Sequence, residues 1–225
     1  MHDRRAVHPR PSTRSVARGR TARYPAWVTT LSADEPRRFT DERFSGLTPT
    51  DLDLAGAILV GCEFVDCDLS EASLRGAQLA DCGFEGCEMP MVDLTDAVLQ
   101  SVELETCRLT GVTFGAVRRL PIVPEAKLRG CDLSFAGFWK LDLTAWSFEG
   151  CRLAEAEFAR CELRGVSFAG ADLTRCTFQR CDLTEADLRG ARGYVISPLD
   201  NALRGVRVSL PEALGLLAAI GVEVE

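Results

Sequence analysis

Ten cysteines stand at positions 62, 67, 82, 87, 107, 131, 151, 161, 176 and 181, and every interval between neighbours is a multiple of five except the 24 residues from Cys107 to Cys131. The chain therefore repeats every five residues, and a repeat dictates the fold before any local propensity does. With the large apolar residue as the centre of each unit, the units run from Leu54 to Phe114 and again from Leu128 to Leu188, thirteen on each side of the slip. Two residues ahead of each centre sits a small or apolar residue, mostly Ala, Cys or Val, and all ten cysteines take that slot. The other three slots carry Asp, Glu, Ser, Thr, Arg and Gly, which belong on surfaces and in turns. A helix repeats its apolar face every 3.6 residues and a half-buried strand every two, so neither period fits. Two inward residues in five fit a chain that turns a corner after each unit.

Ala171-Asp172-Leu173-Thr174-Arg175, Cys181-Asp182-Leu183-Thr184-Glu185 and Ala186-Asp187-Leu188-Arg189-Gly190 carry a clear resemblance: over about residues 52–190 the chain resembles the pentapeptide-repeat proteins. The resemblance implies an all-β, right-handed quadrilateral β-helix, a pentapeptide-repeat solenoid with four units per coil and the central Leu or Phe stacked inside. At a strand spacing of about 4.8 Å, twenty-six units make a coil roughly 31 Å long. Such a solenoid is held by contacts between neighbouring coils and needs caps at its ends. Residues twenty apart then share a column, so Cys67, Cys87 and Cys107 form one, Phe138, Phe158 and Phe178 another, and Phe148 and Phe168 face them. The cysteines read as small buried hydrophobes rather than metal ligands or disulfides, since stacked thiols point in parallel and a cytoplasmic chain stays reduced.

Four segments depart from the coil. Residues 1–25 contain seven arginines and one acid without an apolar stretch, and read as a disordered tail rather than an export signal. Residues 26–51, with Trp27, Phe39 and Phe44, read as a lead-in that covers the first coil. The slip at Gly115–Lys127, with two prolines and Arg118, Arg119, Leu120 and Ile122, reads as an interrupting loop available to a partner. After residue 192 a C-terminal module of residues 193–225 begins. Ser209 and Glu212 there form a capping box for a helix over Leu210–Ile220, whose stripe of Leu210, Leu214, Leu217 and Ile220 is more apolar than a cap requires. The ending is similar to the C-terminal dimerisation module of Qnr-like and MfpA-like members, which implies a homodimer.

The only histidines, His2 and His8, lie in the tail, and no phosphate-binding loop or C-x-x-C pair occurs, so neither an enzyme nor a metal or other cofactor is expected. No run approaches the roughly 18 apolar residues of a membrane helix, and a cytoplasmic chain without membrane contact is expected. Residues 26–225 hold nineteen bases against thirty-two acids, a net charge of -13. Eleven acids and two bases lie between Leu54 and Phe114, against ten and eight between Leu128 and Gly190. Four-unit coils place Glu63, Asp66, Glu85, Glu103 and Glu105 on one face with no base among them. Asp68, Glu71 and Glu88 fall on the next face beside Arg108. The thirteen units concerned span about 16 Å, over which a DNA duplex carries about nine phosphates, and their net charge is also -9.

The resemblance to the Qnr-like and MfpA-like group implies the same use of that charge: a DNA mimic that binds a type II topoisomerase, DNA gyrase, and modulates it or shields it from poisons such as quinolones. Direct nucleic-acid binding by so acidic a body is not expected. The composition supports a scaffold for some other protein partner equally well.

Overall fold

The computed structural model describes residues 36–48, 54–118, 125–210, 212–219, 221 and 222. The chain divides into two units, Met1–Leu31 and Ser32–Glu225, and all described residues lie in the second. The Arg-rich tail and Trp27 fall outside the described residues.

Each five-residue unit builds one wall segment and one corner. The Asp that precedes many centres accepts a hydrogen bond from the backbone N–H two residues on: Ser70 to Asp68 at 3.0 Å, Thr95 to Asp93 at 2.9 Å, Thr174 to Asp172 at 3.1 Å and Thr184 to Asp182 at 2.9 Å. Such Asx turns close the corner locally, which is why Asp-Leu-Thr recurs. The residue after the wall then takes positive φ, as at Gly111 (73°) and Gly190 (70°), where glycine has no Cβ to clash.

Stacked walls become parallel ladders. Strands β1 (Arg38–Thr40), β3 (Ile58–Val60), β5 (Gln78–Ala80) and β7 (Val98–Gln100) form one sheet. A second face holds β2 (Arg43–Ser45), β4 (Glu63–Val65), β6 (Gly83–Glu85), β8 (Val102–Glu105), β9 (Ala126–Arg129) and β11 (Trp146–Glu149). On a third, single bridges link Asp68, Glu88, Arg108, Asp132, Arg152, Asp172 and Arg192 in turn. The fourth includes β10 (Gly137–Trp139), β12 (Glu157–Ala159) and β13 (Thr177–Gln179). This is the right-handed quadrilateral β-helix that the family resemblance implies.

The interior is a set of columns. Phe138, Phe158 and Phe178 stack at 4.5 and 5.0 Å with rings within 4° of parallel, and Phe148 and Phe168 stack at 5.2 Å. The two stacks meet edge to face, Phe138 on Phe148 at 5.5 Å and 83°. The cysteine column is longer than the period of twenty suggests, because it continues across the slip. The thiols of Cys87, Cys107, Cys131 and Cys151 donate to the carbonyls of Phe64, Phe84, Leu104 and Leu128, each one coil back. All ten cysteines are buried and free.

The coil extends past both expected ends. β1 and β2 pair with β3 and β4 at an offset of twenty, so Phe39 and Phe44 are coil centres rather than part of a covering lead-in. Phe44 stacks on Phe64 at 4.8 Å. Beyond residue 192, Asp182 bridges to Ala202 and Asp187 to Arg207, while Leu203, Val206 and Val208 pack against the core. Asn201 fills the cysteine slot here and donates its amide to Phe178 O at 3.0 Å.

The interruption is narrower than Gly115–Lys127. Phe114–Ala116 form a 3-10 turn, and the Arg118 N–H still donates to Ala97 O at 2.7 Å, in step with the earlier coils. Val102 and Ala126 then pair at an offset of 24, so only four residues are inserted. Arg119, Leu120 and Ile122 lie outside the described residues.

The C-terminal helix is also shorter. α1 spans Leu214–Ala218 with Ala213 as its N-cap and no side-chain cap. The Ser209–Glu212 capping box does not form, because Ser209 Oγ accepts the Gly190 N–H at 3.2 Å. Leu216 faces the core. No helix among the described residues is long and apolar enough to cross a membrane.

Candidate partner-binding surfaces

Glu63, Glu85, Glu103 and Glu105 do gather on one wall. Glu63 and Glu85 lie at the ends of β4 and β6 where side chains alternate outward, and Glu103 and Glu105 do the same on β8. Glu85 and Glu105 are direct neighbours across the ladder. Gly83 stands between Glu63 and Glu103 in a depression of about 220 Å³ lined by the four glutamates together with Arg43, Lys127 and Arg129.

The wall is not free of bases, contrary to the expectation from residues 54–114. Extending the coil adds Arg43 on β2 and Lys127 and Arg129 on β9 to the same sheet. Arg43 pairs with Glu63 at 2.7 Å and Lys127 with Glu103 at 3.0 Å, and solvent screening leaves these exposed pairs little stabilising effect. Glu103 in turn raises the affinity of the Lys127 ammonium for its proton. Glu85 and Glu105 have no ion-pair partner among the described residues. The acidic wall is thus a carboxylate centre with a basic rim at each end.

The other expected acids sit elsewhere. Asp66 is at the corner rather than on the wall, with φ of 50° and its carboxylate over Gly86. Asp68 and Glu88 are neighbours on the third face, where Glu88 pairs with Arg108. The Ser70 hydroxyl and then its N–H hold the Asp68 carboxyl below its usual pKa. Glu71 occupies the following corner, with φ of 57°.

Of the loop residues, Arg118 is exposed on the coil. Of the C-terminal stripe, Leu210 is 77% exposed, and Leu214 and Leu217 point outward beside Val222, while Ile220 is outside the described residues. The exposed stripe residues Leu214 and Leu217 do not pack on the last coil, which is formed in part by Leu203, Val206 and Val208; of the helix, Leu216 packs against the core. The five-residue pattern did not single out three exposed apolar side chains, Met91, Phe135 and Trp139. Their signal was present, since Met91 and Phe135 take the corner slot that other units fill with Gly or a polar residue.

Comparison with known proteins agrees with this architecture. The pentapeptide repeat region matches residues 39–117 and 123–188. Sequence comparison with curated proteins finds no match. Among solved structures, a trypsin-treated variant of QnrB1, a plasmid-mediated fluoroquinolone resistance protein, superposes with a TM-score of 0.58 at 20% identity, covering 84% of this chain and 98% of that one. HetL, a pentapeptide repeat protein involved in heterocyst differentiation regulation from the cyanobacterium Nostoc sp. strain PCC 7120, gives 0.54 at 18% identity, covering 77% and 87%. At such identities the likeness is one of fold, and with the match over most of its length the chain belongs to the pentapeptide-repeat family.

Proposed function

We propose that the protein is a DNA mimic that binds a type II topoisomerase, DNA gyrase, modulating it or shielding it from quinolone-type poisons. The observation that carries this reading is the carboxylate wall of Glu63, Glu85, Glu103 and Glu105 on a rigid parallel ladder. Glu85 and Glu105 stand on adjacent coils at the ladder spacing of about 4.8 Å, with Glu63 and Glu103 two coils apart beside them. None can move apart without breaking the ladder, so a cationic channel shaped for phosphates meets a preformed cluster of charge. The fold likeness to QnrB1, a fluoroquinolone resistance protein, supports the same reading. The exposed Leu210, Leu214, Leu217 and Val222 support self-association through the C-terminal end, where a second copy would take this apolar surface out of water.

Purified protein titrated into a gyrase supercoiling assay, with and without a fluoroquinolone, tests the reading. Inhibition or drug protection that is lost in a Glu85→Lys, Glu105→Lys variant of unchanged far-ultraviolet spectrum is the expected result. No effect on gyrases from several bacteria would leave a scaffold for some other protein.

A further inference from the structure

Met91, Phe135 and Trp139 are 64%, 58% and 39% exposed, on and beside the fourth wall, across the coil from the acidic one. Among the described residues fifteen non-glycines have positive φ, and Met91 (55°) and Phe135 (61°) are the apolar ones. Bulky side chains are disfavoured in that conformation, and exposing them to water adds to the cost, so folding alone does not account for them.

The three residues are contiguous. Met91, Gly111 and Phe135 occupy successive corners, linked by Met91 N–H to Thr110 O at 3.0 Å and Gly111 N–H to Ser134 O at 2.9 Å. A Cβ on Gly111 would lie 2.6 Å from Met91 Sδ, so the methionine lies across that glycine toward Phe135. The Trp139 indole lies flat on the wall: a Cβ would approach it to 2.7 Å from Gly137 and 2.9 Å from Gly115. Three glycines thus floor one apolar plateau, and the coil between Met91 and Phe135 presents only Thr110, Gly111, Thr113, Gly115 and Ala116, none of them charged.

Charge surrounds the plateau, and it is mostly negative. Asp93 and Asp96 lie on the coil before it, and Glu155 and Glu157 on the coil after it, with Glu157 paired in register to Gly137. Among the described residues the bases on this rim are Lys140 and, one coil on at the same corner, Arg160. Glu155 is engaged by Arg175, while Asp96 and Glu157 have no ion-pair partner among the described residues.

We infer that this plateau is a second docking surface, for a protein segment carrying an aliphatic anchor between lysine or arginine side chains. The anchor would cover Phe135 and Met91 and stack on the Trp139 face, while the flanking cations meet Asp96 and Glu157. The acidic wall supplies long-range attraction, and a plateau of this kind supplies the desolvated anchor that such walls lack.

The test uses the full-length protein and three fluorescent decapeptides: a Leu-Leu core flanked by arginines, the same core flanked by glutamates, and a Ser-Ser core flanked by arginines. Topoisomerase is absent, so the outcome is independent of the function proposed above. The first peptide is expected to bind at least tenfold more tightly than either other one. Phe135→Ser and Met91→Ser should each weaken it about tenfold, and Asp96→Asn with Glu157→Gln should weaken it and flatten its salt dependence. Both serine replacements are at exposed side chains, and unchanged melting curves confirm their fold. Equal binding of the three peptides, no binding, or full affinity in the serine variants would overturn the inference. So would concentration-dependent self-association that Phe135→Ser abolishes, because the plateau would then belong to a second copy.

Discussion

Phe158 is the most informative residue in the core to perturb. It is fully buried, stacked between Phe138 at 4.5 Å and Phe178 at 5.0 Å, and met edge-on by Phe148 and Phe168, both at 5.8 Å. Removing a buried phenylalanine to alanine costs about 3–5 kcal/mol through lost transfer energy and the cavity left behind. Four aromatic neighbours, each worth about 0.5–1.5 kcal/mol beyond area, place Phe158→Ala at the upper end of that range. The β10-β12-β13 ladder that carries Phe158, and the backbone bonds of its coil to both neighbouring coils, hinder collapse of the cavity. Phe178 has one stacked and one edge-on neighbour and retains some exposure, so Phe178→Ala should cost nearer about 3 kcal/mol. Phe158→Leu keeps most of the volume and loses the ring geometry, for about 1–2 kcal/mol. Guanidinium unfolding followed by far-ultraviolet circular dichroism, with Trp146 fluorescence as a second probe, gives all three values. Because stability in a solenoid passes from coil to coil, Phe158→Ala should also separate the two probes, with the C-terminal coils unfolding first. A cost for Phe158→Ala below about 2 kcal/mol, or one equal to that of Phe178→Ala, would refute the argument that stacked rings carry the core.

Three further expectations can be checked on the same protein. Native protein at pH 8 should show no thiol reactive toward Ellman's reagent, and ten after denaturation, because every cysteine is buried and burial pushes the Cys176 thiol up; rapid native reaction would contradict the columns. The Arg189 hydrogen bond, outweighing the opposing effect of burial, lowers the Asp187 carboxyl from 3.8 to about 2. Its stabilisation is therefore present above pH 3.8 and lost as pH falls through about 2; Asp187→Asn should be less stable than the native protein at neutral pH, and the two should converge at the acid end. Leu214→Asp with Leu217→Asp should convert a dimer to a monomer in sedimentation, and a persistent dimer would exclude the C-terminal stripe as the interface.

The five-residue period by itself determined which residues face inward, because the inward pair is local and recurs in every unit; the four-sided coil came from the resemblance to pentapeptide-repeat proteins. With the four units per coil that the resemblance implies, Phe138 above Phe158 and Cys87 above Cys67 follow. The sequence was misleading where inward residues were still suitable but the consensus was weak. Phe39, Phe44 and Leu203 have the right chemistry at the right spacing, and only the ladder bonds show that they lie on the coil. The slip concealed a four-residue insertion, since Arg118 and Ala126 carry no sign of being in step until their hydrogen bonds are seen.

Tertiary structure decided the rest through neighbours that no local window contains. Arg43 meets Glu63 twenty residues away and Lys127 meets Glu103 across the insertion, so the acidic wall acquired a basic rim. Ile58, Val60, Gln78, Ala80 and Val98 hold outward positions on their strands and are nevertheless buried, whereas Asp142 and Arg164, later on the same face, are exposed. Ser209 was spent on Gly190 rather than on a helix cap. A repeat encodes which way each residue faces within its coil; what lies beside it on the next coil depends on register, and register is set by backbone bonds between distant segments.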